Sequence, residues 1–170
     1  MSSLLGNSTK LTNILQIYFQ LLIVKPNVPN LGYLYKTMIE AKSSAKYIYE
    51  TSKTYKSSFD YPNNPFGNQL KTTAEFINSD LDSKVYYAAM GGFDTHANQL
   101  NKQSKLLQTY ADAIAVFVND LKKNDRFKDT LILTFSEFGR RVQQNAAGGT
   151  DHGAANNIFL IGENLKKKGF

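Results

Sequence analysis

Short apolar runs separated by amphipathic stretches constrain the fold of this chain more than any other feature of its sequence. The runs are Val85–Met90, Thr130–Phe135 and Asn157–Ile161. Short, continuous apolar runs of this kind are typical of strands buried on both faces. Helical periodicity predicts helices near residues 67–79 and at about 99–123. A strand, a long helix, a strand, a loop and a strand therefore follow one another, which predicts an α/β fold with a parallel sheet.

The N-terminal third of the chain is predicted to be helical. Apolar side chains recur with a period of about 3.6 residues over 11–23, and a second helix is predicted at about 31–53. No convincing domain boundary follows, so we expect one domain over 1–170, with a helical portion at 1–60 and an α/β portion at 61–162.

The composition excludes several kinds of site and partner. The chain has no cysteine, which excludes disulfides, thiolate metal ligands and a cysteine nucleophile. Its 20 Lys and Arg residues exceed its 14 Asp and Glu residues, a balance that indicates a solvated basic surface first, and otherwise an anionic substrate, a nucleic acid or a membrane surface. No basic stripe with interleaved aromatic residues is present, so no nucleic-acid partner is expected. The apolar segment Ile14–Val24 is too short to span a bilayer, no secretory signal is recognisable at Met1, and no transmembrane segment is predicted.

The chain has only two histidines, and each follows a predicted strand in a glycine-bounded motif. The first motif is GGFDTH, in which Asp94 and His96 are two residues apart. Side chains with this spacing point the same way in an extended segment, so a carboxylate and an imidazole could share one cation. The alternative is a loop in which Asp94 forms an Asx-turn and His96 is merely exposed.

Two further motifs carry candidate site residues. In SEFGRR, Glu137 could bind a metal or act as a general base, and Arg140 could bind an oxyanion. The alternative is a helix N-terminus capped by Ser136, with solvated arginines. In GGTDHG, Asp151 and His152 could both reach a metal if the loop bends, and the alternative is a polar turn.

Together these motifs predict a divalent metal site. Its candidate ligands are Asp94, His96, Asp151, His152 and Glu137. Oxygen and nitrogen ligands without sulfur suit Zn²⁺ or Mn²⁺, or else Fe or Mg²⁺, better than a soft metal.

Three longer stretches resemble the bacterial domain-of-unknown-function family numbered 1501, which is placed in the alkaline phosphatase and sulfatase superfamily. They are YPNNPFGNQLKTTAEFI, VYYAAMGGFDTHANQ and LILTFSEFGRRVQQNAAGGTDHGAANNIFLIG. The resemblance is specific over about 61–162 and weaker over 1–60. It implies an alkaline-phosphatase-like fold with a mostly parallel sheet flanked by helices. The chain resembles a middle-to-C-terminal segment of such a domain, so we expect the fold to be incomplete. The resemblance also suggests that the parent protein is periplasmic or exported.

The resemblance assigns roles to the candidate ligands. In the superfamily an Asp and a His after one strand bind the first metal, which matches Asp94 and His96, and a later His that returns to this metal matches His152. The carboxylate of the second metal matches Glu137, but a phenylalanine follows it where the superfamily usually has a histidine. This departure puts the second metal in doubt. Asp151 would be a ligand or a partner that orients an imidazole.

These implications predict a metal-dependent hydrolase-like domain that acts on a small anionic phosphate or sulfate ester when complete, with Glu137 and Arg140 in catalytic roles. Nothing in 1–60 resembles the strand, loop and helix that carry the superfamily's Ser or Thr nucleophile, so we expect this chain alone to be inactive. The alternative is a non-catalytic binding or assembly module that retains the fold. Nucleic-acid binding through the net positive charge is a third, weaker alternative. The sequence does not fix the oligomeric state.

Overall fold

The computed structural model describes residues 31–167 and residue 169. Its helices are α1 (Leu31–Thr51), α2 (Pro65–Asn78) and α3 (Gln99–Lys123), and a 3₁₀ turn spans Phe127–Asp129. Its strands are β1 (Ile132–Thr134), β2 (Gly139–Arg140), β3 (His152–Gly153) and β4 (Phe159–Ile161). The three helices agree with the predicted ones to within two residues at each end, and the helix predicted at 11–23 lies outside the described residues. The mixed α/β class is therefore confirmed.

Two compact units divide the chain, residues 1–46 and residues 47–170. Of the first unit the structure describes 31–46, the beginning of α1, and none of these residues is buried. The second unit contains α2, α3 and the strands. Within residues 31–167, no helix is both long and apolar enough to cross a membrane.

The core of the second unit lies between α2 and α3. On α3 the buried apolar residues recur three or four positions apart, which is the period of one helix face. The core consists of Tyr61, Phe66, Leu70, Ala74, Ala113, Ile114, Phe117, Leu121 and Phe127. The start of α2 is fixed by Asn64, whose side chain accepts a hydrogen bond from the Gly67 N–H at 2.8 Å. Gly67 is needed there because a Cβ would lie 2.1 Å from the Pro62 carbonyl oxygen.

A buried carboxylate, Asp120, stands near the C-terminal end of α3 and has no exposed surface. Its oxygens accept hydrogen bonds from Tyr55 (2.7 Å), Ser57 (2.5 Å), Tyr61 (3.0 Å), Asn124 (3.2 Å) and Asn78 (3.4 Å). We call these six residues the Asp120 cluster. Burial, and then the charge of Asp120, raise the pKa of Tyr61 above its ordinary value, which keeps the phenol protonated as a donor. The cluster thereby attaches the segment between α1 and α2 to α3.

The strands form two small antiparallel pairs, which differs from the predicted mostly parallel sheet. β1 pairs with β4, so that Ile132 is opposite Ile161 and Leu133 is opposite Leu160, and β2 pairs with β3. No helix lies between β1 and β4, and a crossover helix is the usual connection of a parallel pair.

The run Val85–Met90 is not a strand in the structure, which corrects the sequence prediction. A side chain of α2 takes the place of a neighbouring strand. The Ala89 N–H donates to Oε1 of Gln69 at 3.0 Å, and Nε2 of Gln69 donates to the Ala89 carbonyl at 3.1 Å. At Ala89 the backbone of this run is thus hydrogen-bonded to a side-chain amide rather than to a neighbouring strand.

The apolar runs are at most partly buried, and on one face, whereas the sequence predicts burial on both. Ala88, Met90 and Ile132 pack against the core. The alternate residues face away from it, with Tyr87 73% and Leu133 55% exposed. Within the described residues, one layer of helices therefore covers one side of these runs.

Candidate metal centre

Asp94, His96 and His152 come together in the folded chain. Each offers one ligand atom, and these atoms all lie within 4.8 Å of one another. Oδ1 of Asp94 is 3.0 Å from Nε2 of His96 and 2.8 Å from Nε2 of His152. All three side chains are about half exposed, so solvent reaches the group. Metal–ligand bonds near 2.1 Å place the donors of one ion roughly 3–4 Å apart. The two Asp94 contacts, at 3.0 and 2.8 Å, lie at the short end of this range, so the donor types and these contacts suit one ion.

The GGFDTH segment presents Asp94 and His96 on the same side, as the sequence predicts. Thr95 between them is 6% exposed and points the other way. Its hydroxyl accepts a hydrogen bond from Gln103 of α3 at 3.0 Å. The buried threonine therefore anchors the segment, and its two neighbours project outward as a pair.

The hairpin formed by β2 and β3 presents His152. Arg140 is the residue opposite His152 in this pair, and the Arg141 N–H donates to the Asp151 carbonyl at 2.8 Å. The ring of Phe138 stacks on the His152 imidazole, with centroids 4.5 Å apart and planes at 19°. Backbone pairing and ring stacking together restrict the orientation of this imidazole.

The guanidinium of Arg140 links the two segments that carry the candidate ligands. It donates to the Thr150 carbonyl and, at 2.7 Å, to the Phe93 carbonyl. Its Nη2 also lies 3.5 Å from Oδ1 of Asp94, and the side chain is only 16% exposed. The oxyanion contact of Arg140 stays a prediction, and in the structure these donors hold two loops together.

Asn145 makes a second link between the same segments. Its Nδ2 donates to the His96 carbonyl at 3.0 Å and to Oδ1 of Asp151 at 3.1 Å. Its Oδ1 accepts from the N–H groups of Ala147 and Gly149, both at 3.0 Å. Gly149 packs directly against the His96 backbone, because a Cβ there would lie 2.3 Å from the His96 carbonyl atoms. Only glycine permits so close an approach.

Neighbouring groups hold both aspartates of the site in their ionised form. A hydrogen bond from His152 is the main cause that lowers the pKa of Asp94, and the charges of His152 and His96 act in the same direction. A hydrogen bond from Asn145, and then one from His96, lower the pKa of Asp151. Ionised carboxylates are the forms that bind cations.

The structure places the five predicted ligands in three different settings. Asp94, His96 and His152 form the group. Asp151 lies behind it, with Oδ1 3.5 Å from Nδ1 of His96, where a partner that orients the imidazole would be. Glu137 is exposed and lies outside this group of three residues.

Sequence reasoning missed two residues that shape the group. Asn145 carried no motif of its own, although an Asn shortly before two glycines is a signal for a side-chain-capped turn. The sequence marks Phe138 only as the residue after Glu137, and its stacking on His152 depends on the hairpin register. Neither contact follows from local sequence spacing.

Comparison with known proteins identifies a family without assigning a function. The family profile described as "Protein of unknown function (DUF1501)" matches residues 43–169, well over half of the 170 residues. No curated protein and no solved structure matches the chain. The match includes every candidate ligand and the three motifs that carry them, and the chain belongs to the DUF1501 family.

Proposed function

We propose that this chain binds one divalent metal ion through Asp94, His96 and His152, and that it forms part of a metal-dependent hydrolase of small phosphate or sulfate esters. The observation that supports the metal site is the convergence of three ligand atoms within 4.8 Å from segments 58 residues apart in sequence. One carboxylate and two imidazoles are a donor set that suits Zn²⁺ or Mn²⁺. The exposed side of the group leaves room for a further ligand, as catalytic sites require.

A bound divalent ion would supply a Lewis acid that polarises the ester and lowers the pKa of a coordinated water. The residues of this chain have supporting roles. Asp151 orients His96 from behind, and Phe138 fixes the plane of His152. The guanidinium of Arg140 adds positive charge beside Asp94, and the excess of basic residues over the whole chain favours the approach of an anionic ester.

The finer features of the superfamily belong to the same proposal. A mostly parallel, alkaline-phosphatase-like sheet in the complete domain is consistent with apolar runs whose outer residues, such as Tyr87 and Leu133, are exposed. Glu137 is exposed beyond the end of β1, where it is free to serve a second metal or to act as a general base. The ester substrate and the hydrolysis rest on the superfamily resemblance, which is an analogy of fold.

One observation favours a non-catalytic binding module instead. Phe138 stands where the superfamily usually has a histidine, and its ring stacks on His152 rather than offering a ligand. A fold that keeps one structural metal and loses the second would have this arrangement.

Calorimetric titration with Zn²⁺ and with Mn²⁺ tests the metal site. The parent chain is compared with His96→Ala and His152→Ala, and Asp112→Asn, an exposed carboxylate on α3, is the control. We expect one site in the parent and in the control, and its loss in both histidine variants. A folded parent that binds neither metal would refute the proposal. Phosphatase and sulfatase assays on the full-length protein then separate the enzyme from the binding module.

A further inference from the structure

The two ends of the Asn145 side chain do different things. The carbonyl oxygen accepts from two backbone N–H groups and shapes the turn at 147–149. The amide nitrogen instead points to the candidate site, where it donates to the His96 carbonyl and to the Asp151 carboxylate. One side chain thus contacts both segments that carry candidate ligands.

We propose that Asn145 is a positioning residue for the metal: it holds Asp151 behind His96, so that Nε2 of His96 faces the ion. This inference rests on the proposed metal site. Oδ1 of Asp151, which Asn145 holds at 3.1 Å, is the atom that lies 3.5 Å from Nδ1 of His96. Nε2 of the same ring faces Asp94 at 3.0 Å.

The chemistry of imidazole explains why the position of Asp151 behind Nδ1 of His96 matters for a metal at Nε2. A neutral imidazole carries one N–H and one lone pair, and the partner of one nitrogen decides which atom bears the proton. If a metal takes the lone pair of Nε2 in place of the present contact between Nε2 and Asp94, the proton lies on Nδ1, where the Asp151 carboxylate accepts it. Such carboxylate–histidine–metal chains typically change metal affinity about 10–100-fold when the outer partner is lost.

Asn145→Asp separates this positioning role from the role in the turn. Aspartate keeps an oxygen that accepts from Ala147 and Gly149, but it loses both donations of Nδ2. It also brings a carboxylate oxygen to the place where Nδ2 now lies 3.1 Å from Oδ1 of Asp151, and the two charges repel. If Asn145 only shapes the turn, the substitution is harmless.

The chain offers a matched control in Asn156. Its Oδ1 accepts from the Asn157 N–H at 2.8 Å, and its Nδ2 donates to the Ser136 carbonyl at 3.2 Å. Asn156→Asp therefore makes the same chemical change at an exposed asparagine with the same kinds of bonds. We expect Zn²⁺ affinity to fall about 10–100-fold in Asn145→Asp and to stay at the parent value in Asn156→Asp. Equal affinity in the two variants overturns the proposal.

A metal-free measurement keeps this inference distinct from the metal site itself. Long-range ¹H–¹⁵N spectra at about pH 8, where imidazoles are neutral, report which nitrogen of His96 carries the proton. Because Nε2 faces Asp94 at 3.0 Å and Nδ1 faces Asp151 at 3.5 Å, we expect the proton to be shared between the two nitrogens in the parent and in Asn156→Asp, and a smaller Nδ1-protonated fraction in Asn145→Asp. If the parent binds no Zn²⁺ but the spectra change this way, the metal proposal fails while the orienting role stands; an unchanged spectrum overturns that role.

A second variant covers the case in which Asn145→Asp does not fold. Asp151→Ala leaves Asn145 and its turn intact and removes only the carboxylate behind His96. We expect the same loss of Zn²⁺ affinity and the same shift of the Nδ1 signal. Parent-like values for both readouts in this variant overturn the proposal.

Discussion

Replacing Asp120 by asparagine should destabilise the second unit, because the Asp120 cluster depends on a carboxylate. Both carboxylate oxygens accept, one from Tyr55 and the other from Ser57 and Tyr61. An asparagine of the same shape offers one oxygen and one NH₂ group. Whichever way it turns, at least one hydroxyl hydrogen loses its acceptor.

The magnitude follows from the burial of the site and the number of bonds. Asp120 has no exposed surface and Tyr61 is 7% exposed, so solvent does not replace lost bonds. Hydrogen bonds to a charged group contribute about 1.5–3 kcal/mol and neutral ones about 0.5–1.5 kcal/mol. Asp120→Asn weakens several hydrogen bonds and breaks one or two, and the smaller desolvation cost of a neutral amide offsets part of this. The free energy of unfolding should therefore fall by about 3 kcal/mol. For a unit of this size that corresponds to a melting temperature lower by roughly 10 °C.

Urea unfolding followed by far-ultraviolet circular dichroism measures this loss. Asp112→Asn is the control, because Asp112 is an exposed aspartate on the same helix with one hydrogen bond to Gln108. We expect the control to stay within about 0.5 kcal/mol of the parent. If Asp120→Asn also stays within that range, the reasoning about the buried cluster is refuted.

Three further predictions concern the site and the sheet. Gly149→Ala should weaken Zn²⁺ binding at least about tenfold, because its Cβ would lie 2.3 Å from the backbone of His96, a proposed ligand. Gly91→Ala has no atom within 4 Å to meet and should bind as the parent does. The pKa of Asp94, followed by carboxyl NMR, should lie below the ordinary value of an aspartate and rise in His152→Ala, because the hydrogen bond from this imidazole is the main cause that lowers it; an unchanged pKa would refute that cause. Ile132→Ala, on the packed face of β1, should lower the free energy of unfolding by about 1–2 kcal/mol. Leu133→Ala, at a residue that is 55% exposed, should change it by no more than about 0.5 kcal/mol. Equal losses in urea unfolding would mean that both faces are covered.

The helices were predictable because helical periodicity is written locally in the sequence. The buried residues of α3 recur at three- and four-residue spacings, and this pattern needs no knowledge of the partner helix. The grouping of the candidate ligands Asp94, His96 and His152 was predictable for a similar reason, since each stands in a short motif after an apolar run.

The pairing of the strands was not predictable from the same signals. Runs of apolar residues show that a segment can be buried, but they do not show which neighbour pairs with it or whether both faces are covered. The pairing of Ala89 with the side chain of Gln69 depends on where α2 lies, which is a tertiary property. The burial of Asp120 is also a tertiary property. An aspartate in an amphipathic helix is ordinarily solvated, and the five donors to Asp120 come from three separate segments.

The candidate metal site adjoins the start of α3 and the Asp120 cluster lies near its end, and this separation leads to a final prediction. The site is attached to the first turn of α3, where the Gln99 N–H donates to the Gly148 carbonyl at 3.0 Å. Asp120 stands 21 residues further along the same helix, roughly 30 Å away at 1.5 Å per residue. Perturbations this far apart, with no shared partner, should act independently.

Two variants and their combination test this independence. Asp120→Asn should lower the free energy of unfolding and leave Zn²⁺ affinity unchanged in the folded protein. Asn145→Asp should lower Zn²⁺ affinity, and this loss should be the same in the Asp120→Asn background. The changes in unfolding free energy of the single variants should add to within about 0.5 kcal/mol in the double variant. A larger departure from additivity would mean that α3 transmits strain between its ends. The loops around His96 would then be held by the helical core rather than by Arg140, Asn145 and Gly149.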